Sequence, residues 1–327
     1  MSRTPPPLAS SILETIGQTP LVELGRLVRL LNLSGRLFMK LEYFSPGGSK
    51  KDRVAAQIIG QARRDGTLRE GQTVVELTSG NTGTGLAIVC RMLDHPFVAV
   101  MSRGNSIERV RMMAALGAEV ALVDQAPGSI PGQVSGADLA LVEATTQRVV
   151  SERGAFRVQQ FEHPGNVLAH EQQTGPELWE QSGGTIDVYV DCPGTSGSLT
   201  GVARVLKRKN PSVRIYAVEP RNSAVLAGKS TGSQGHRIQG AGYSRSDSDL
   251  PLFERSHVDG FLQVTDQDVI ASARLLAREE GIFAGFSTAA HLAAAFQLLQ
   301  GAERGSTIAM LACDSGMKYL STDLYES

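Results

Sequence analysis

Short apolar runs with strand character alternate with amphipathic runs along almost the whole chain. Strands are predicted over 36–41, 73–77, 97–101, 119–123, 156–160, 186–191, 213–218, 260–264 and 307–312. Helices are predicted over 52–65, 81–93, 106–116, 137–153, 165–181, 198–208, 222–228, 266–280, 288–300 and 315–324. Alternation of this kind argues for an α/β protein with mainly parallel sheets, and no solenoid period competes with it. Two stretches interrupt the rhythm. Residues 126–136 (APGSIPGQVSG) form a Pro/Gly/Ser loop, either a surface excursion or part of a lid. Residues 229–252 are polar and rich in Gly and Ser, and 236–242 (HRIQGAG) would let the backbone come close to a ligand. Ligands of open α/β sheets sit beyond the carboxyl ends of the strands, so the loops that follow strands are where chemistry is sought.

Composition narrows the class. A length of 327 residues accommodates two domains, and 41% hydrophobic with 20% charged residues is ordinary for a soluble globular protein. The formal net charge of -1, without a long basic block, points away from nucleic acid and from anionic membranes. Cys90, Cys192 and Cys313 are far apart, flanked by apolar residues and without metal-ligand spacing, so reduced core cysteines are expected and no metal. The Pro-rich start reads as neither a signal peptide nor an anchor, and no apolar run approaches a membrane span. A cytoplasmic protein is expected.

Four loops carry candidate chemistry. Phe44-Ser45-Pro46-Gly47-Gly48-Ser49-Lys50-Lys51-Asp52-Arg53 joins a predicted strand to a predicted helix. Lysines oppose the helix dipole there, so the stretch is either a solvated charged loop or the seat of a nucleophilic amine, and its residues do not say which lysine. Thr78-Ser79-Gly80-Asn81-Thr82-Gly83 leads into a helix N-terminus that suits a carboxylate or phosphate, and equally reads as a well-capped helix. Pro193-Gly194-Thr195-Ser196-Gly197-Ser198 looks like a phosphate cradle or a tight turn. It has neither the ending of a nucleotide P-loop nor a dinucleotide fingerprint. Gly285-Phe286-Ser287-Thr288 opens a helix with Ser287 as cap or ligand contact.

In this order the motifs resemble the fold type II pyridoxal-phosphate enzymes, the group of cysteine synthase and cystathionine β-synthase. The resemblance runs from Ile16-Gly17-Gln18-Thr19-Pro20-Leu21 through Ser49-Lys50-Lys51-Asp52-Arg53, Thr78 to Gly83, Leu116-Gly117-Ala118-Glu119-Val120, Gln160-Phe161, Thr174-Gly175-Pro176-Glu177, Ile238-Gln239-Gly240 and Gly281 to Ser287, ending at Asp314-Ser315-Gly316. It implies two domains, each with a mainly parallel sheet flanked by helices, and the cofactor in the cleft between them. The small domain would be 45–158, with 1–20 packing nearby, and the large one 21–44 plus 159–327. The register makes Lys51 rather than Lys50 the Schiff-base lysine. It matches Asn81 to the contact with the cofactor's 3′-oxygen, Gly194, Thr195, Ser196, Gly197 and Ser198 to the phosphate loop, and Ser287 to the pyridine nitrogen. Thr78, Ser79, Gly80, Thr82, Gln160 and Gly240 are matched to the substrate.

The implied reaction is β-replacement on an O-activated L-serine through an aminoacrylate, most simply with sulfide to give L-cysteine, in a likewise implied homodimer. Alternatives are an amine or other nucleophile giving 2,3-diaminopropionate or another β-substituted alanine, a serine/threonine deaminase, or a silent binding paralogue. Lys50 and Arg53 are expected to help keep the Lys51 amine neutral. Several residues depart from the family pattern: Ser45, Lys50, Ser196, Ser198, Ala289 and Met317-Lys318. The simplest expectation for Lys50 is that it points to solvent. The short ends give no reason to expect a haem-binding or regulatory extension.

Overall fold

A computed structural model describes residues 8–78, 80–129, 134, 136–229, 235–242 and 250–326. Its strands are β1 (Leu21–Glu23), β2 (Arg36–Leu41), β3 (Val74–Leu77), β4 (Phe97–Ser102), β5 (Glu119–Val123), β6 (Phe156–Arg157), β7 (Val188–Asp191), β8 (Arg214–Pro220), β9 (Gly260–Val264) and β10 (Thr307–Ala312). Its α-helices are α1 (Gly25–Leu30), α2 (Lys51–Arg64), α3 (Asn81–Met92), α4 (Ile107–Ala115), α5 (Gly136–Arg153), α6 (Gly165–Ala169), α7 (Gly175–Gln181), α8 (Gly197–Lys209), α9 (Asp266–Glu280) and α10 (Phe286–Gln300). They build one six-stranded sheet, ordered β1-β2-β10-β7-β8-β9, and one four-stranded sheet, ordered β5-β4-β3-β6. Every pairing is parallel except β1 with β2.

The burial of the strands explains the order. All residues of β4, β7 and β10 are buried, as expected of central parallel strands covered by helices on both faces. Helix α2 buries Val54, Ala55, Ile58, Ile59 and Ala62, one stripe of the cylinder, in a core shared with Leu86 and Val89 of α3. The two helices come unusually close because α3 carries Gly85, where an added Cβ would lie 3.1 Å from both the Asp52 Cα and the Lys51 carbonyl. That contact brings the first turn of α2 against α3.

Several sequence expectations are corrected. Residues 222–228 do not form a helix beyond a short 3-10 turn, because the Glu219 carboxylate captures the amides of Leu226 and Ala227 at 2.9 and 2.8 Å. Residues 315–324 form only two short 3-10 turns, since tertiary contacts take their amides: Ser315 donates to the Gly48 carbonyl and Gly316 to that of Phe283. The strand expected over 156–160 stops at Arg157, as Gln159 turns left-handed with φ 55 and gives its amide to Glu76. Residues 165–181 contain a π-helical turn over His170–Thr174 between α6 and α7. β1 and α1 were not anticipated at all. Parts of the loops at 126–136 and 229–252 lie outside the described residues.

Candidate active site

Three of the four candidate loops follow the carboxyl ends of strands, as does the 313–315 turn; the fourth, at Gly285, lies between α9 and α10. β2 leads to residues 45–50, β3 to 78–80, β7 to 192–196 and β10 to 313–315. The first of these is stitched to the last: Lys50 N donates to the Cys313 carbonyl at 2.9 Å, and Ser49 pairs with Asp314 in an antiparallel bridge. Asp52 accepts from Gly47 N at 2.5 Å, closing the turn and fixing where α2 begins. Lys51 is therefore the first residue of α2, held at the seam between the two sheets.

Its amine donates to the Thr195 hydroxyl at 3.0 Å, and Asn166 donates to the same oxygen at 2.9 Å. Thr195 sits in the turn before α8, and Ser196, the N-cap, is left-handed at φ 66 and makes no capping bond with its side chain. The first amides of a helix have no intrahelical partner, so this end of α8 presents donors and the positive pole of its dipole. The Ser196 hydroxyl and the Asn166 Oδ1 are buried and have no hydrogen-bond partner among the described residues. A Cβ on Gly197 would collide with Asn166 Oδ1, so only glycine fits there. The unsatisfied Ser196 hydroxyl, a bare helix end and an amine together fit the aldehyde and phosphate of pyridoxal phosphate.

The two lysines have opposite environments. Burial, and after it the charge of Lys50, pulls the Lys51 amine from 10.5 down to about 7. Burial also acts against the Lys50 charge, but the carboxylate of Asp191 and the neighbouring thiols outweigh it and hold the ammonium well above its ordinary range. Lys50 does not point to solvent: its Nζ lies 3.3 Å from Asp191 Oδ1 and donates to the Ser198 hydroxyl at 2.8 Å. The geometry thus separates the nucleophilic amine from the fixed cation. Arg53 is turned away, bonded to Glu42 and Glu177, and is not among the main groups acting on Lys51.

Selective labelling checks this assignment. In the chain free of cofactor, an amine-acylating reagent is expected to modify Lys51 half-maximally near pH about 7 and to leave Lys50 untouched. Labelling of Lys51 only near the 10.5 of a free lysine contradicts it. Because its folded value lies below the unfolded 10.5, the unfolded chain binds the extra proton between about 7 and 10.5. Stability from this group therefore rises with pH across that window.

Beyond Lys51, Thr78 and residues 80–83 are held by a set of buried polar hydrogen bonds. Thr78 Oγ1 accepts from Gly80 N and Gly83 N, both at 3.0 Å. Thr82 donates to Gln160 Oε1 at 2.6 Å, and Gln160 donates to the Leu77 carbonyl at 2.9 Å. Ser79 lies outside the described residues. Arg109 lies against Gly80 and donates to Gln239 at 2.7 Å, tying this loop to Gly240, whose φ of 88 suits glycine. Asn81 donates to Asp314 at 2.7 Å and accepts from Lys318 at 2.8 Å. Ser287 is the second residue of α10, not its N-cap, and its hydroxyl meets the Cys313 thiol.

Asp191, His291, Lys318 and Arg109 were not identified as site residues from the sequence. One signal was present: Asp191 ends an otherwise apolar strand directly before the Gly-Thr-Ser-Gly-Ser turn, and it is fully buried. Asp191, His291 and Cys313 bring ligand atoms within 4.8 Å of one another, the spacing of a metal site. The Lys50 ammonium already neutralises Asp191, and burial pushes the Cys313 thiol up to about 11, so this set suits a lysine better than a metal ion.

Residues 12–314 match the family model described as pyridoxal-phosphate dependent enzyme. A cysteine synthase of Staphylococcus aureus is 38% identical over 320 residues, covering 96% of each chain. An O-ureido-L-serine synthase of Streptomyces lavendulae is 37% identical over 322 residues, 98% of this chain and 94% of that one. The crystal structure of O-acetyl serine sulfhydrylase isoform 3 from Entamoeba histolytica superposes with a TM-score of 0.88 at 35% identity, covering 100% of this chain and 95% of that one.

Proposed function

Because the chain belongs to the pyridoxal-phosphate dependent enzyme family and uses its cofactor, we propose that it exchanges the β-substituent of an O-activated L-serine for a small nucleophile. Sulfide, giving L-cysteine, is the plainest nucleophile. One observation carries the reading: the Lys51 amine, lowered to about 7, faces an anion cradle on one side and shares its cleft with the hydrogen-bonded Thr82 and Gln160. When bound, pyridoxal phosphate supplies an electron sink for negative charge at the substrate Cα.

The chain's own residues do the rest. Gly194, Thr195, Ser196, Gly197 and Ser198 would hold the phosphate through their amides, aided by the Thr195 and Ser196 hydroxyls, while Asn81 would contact the ring oxygen and Ser287 the ring nitrogen. A serine there is too weak an acid to protonate that nitrogen firmly, which favours loss of a β-leaving group over transamination. Thr78, Ser79, Thr82 and Gln160 hold the substrate carboxylate, and Gly80 and Gly240 also bind the substrate. Lys51, whose amine is substantially unprotonated from pH about 7 upward, takes the Cα proton and later returns it. Closure of the 78–83 loop keeps water from the reactive carbons.

Residues 45–158 are assigned to a small domain and 21–44 plus 159–327 to a large one, with residues 1–20 packing nearby. The four-stranded sheet falls in the first and the six-stranded sheet in the second, which supports the division. The homodimer and the cytoplasmic location belong to the same proposal. No helix among the described residues is long and apolar enough to cross a membrane.

A second nucleophile class stays in view because the O-ureido-L-serine synthase is nearly as similar as the cysteine synthase, 37% against 38%. The deciding experiment offers O-acetyl-L-serine, O-phospho-L-serine and L-serine to the purified protein with sulfide, hydroxyurea or an amine, and identifies products by mass. Cysteine from an O-activated serine is expected to form fastest. A faster hydroxyurea or amine product moves the assignment to that nucleophile, and no β-substituted alanine from any donor defeats it.

A further inference from the structure

We infer that Lys50 is a positioning residue, whose buried pair with Asp191 and hydrogen bond to Ser198 hold the start of helix α8 in its phosphate-binding form. This rests on the reading that residues 194–198 receive the phosphate of pyridoxal phosphate.

Lys50 is pinned at both ends. Its backbone amide bonds to Cys313 at the end of β10, and its side chain crosses to Asp191 at the end of β7. Asp191 is fully buried and satisfied on every side. Its carboxylate accepts from the Tyr189 hydroxyl at 3.0 Å, Cys192 N at 2.9 Å and the Ser198 hydroxyl at 2.5 Å. His291 Nε2 lies 3.1 Å from it, while His291 Nδ1 donates to the Leu311 carbonyl at 2.9 Å. Ser198 thus gives its proton to Asp191 and receives one from Lys50. Both bonds of its hydroxyl are made to Asp191 and Lys50, so Ser198 acts as a strut for the first turn of α8.

Stability alone is a poor reason for such a pair. A lysine at a helix N-terminus opposes the dipole, and two desolvated charges are commonly matched or bettered by apolar residues of similar size. What the pair adds is geometry. It ties three elements together, the start of α2, the end of β7 and the end of β10, at the point where the amides of α8 converge. The same lysine puts a fixed positive charge next to Lys51, which helps keep that amine neutral.

The test compares affinity for pyridoxal phosphate with affinity for pyridoxal, which lacks the phosphate. The full chain is used as wild type, as the double variant Lys50→Met/Asp191→Asn, and as Ser198→Ala, which cuts the strut but leaves the ion pair. Removing both charges together avoids stranding either one, so the double variant is expected to fold. Wild type should prefer pyridoxal phosphate strongly, and in both variants the ratio of the two affinities should fall by about tenfold. General loosening of the site would weaken both ligands alike and leave the ratio unchanged, which overturns the inference. Should the double variant not fold, an unchanged ratio in Ser198→Ala overturns it equally. A wild type that binds the two ligands alike would instead defeat the phosphate-loop reading, and the inference with it.

Discussion

Replacing Lys51 with alanine is expected to lower β-replacement by about 10³-fold or more, because in the proposed function one amine serves as both nucleophile and proton carrier. The visible absorbance of the lysine-linked cofactor should vanish in the same variant. Lys50, one residue away, does not take over. Its ammonium is held by Asp191 and Ser198 and is raised in pKa, so it offers neither a lone pair nor reach into the cleft. Retention of a tenth of the activity together with the visible absorbance would show that another amine does the chemistry. Lys50→Ala is not the converse experiment, because it strands the Asp191 carboxylate in the core.

Replacing Arg53 with methionine is expected to cost about 3–5 kcal/mol of stability, the range for removing one partner of a buried ion pair. The guanidinium is fully buried and bonds Glu42 through Nε at 2.7 Å and Nη2 at 3.0 Å. It also bonds Glu177 at 2.6 and 2.8 Å and Thr19 at 3.2 Å. Lys40, likewise buried, adds a contact to Glu177 at 2.8 Å. Methionine fills the stem but leaves the Glu42 carboxylate without its cation. Burial would raise the Glu177 carboxyl, yet Arg53 and Lys40 hold it down from 4.5 to about 2. Its contribution is therefore present above about 4.5 and lost as pH falls through about 2. Urea unfolding should show a lower midpoint in the variant and a shallower loss of stability across that acid window. An unchanged midpoint would mean that the cluster contributes nothing to stability.

The same cluster explains part of what was legible in advance. Thr19, Arg53 and Glu177 all lie in motifs that mark the family resemblance, and they meet because residues far apart in sequence brace the first turn of α2. The strands and most helices were readable because their periodicity is local. β1 was not, since three residues carry too little pattern and pair only because β2 is there to receive them. Helix was expected at 222–228 and 315–324 from composition, but Glu219, Gly48 and Phe283 took those amides. Local propensity loses when a buried carboxylate or carbonyl from elsewhere offers a better partner.

By itself the sequence determined the α/β alternation and, through the ordered motifs, the family and its cofactor. It could not assign Lys50, whose partners Asp191 and Ser198 lie 141 and 148 residues away. Adjacent lysines share the same neighbours along the chain, so only the folded surroundings make one a fixed cation and the other a neutral amine. Tertiary structure made that choice, by placing a buried carboxylate within reach of Lys50 and a threonine hydroxyl within reach of Lys51.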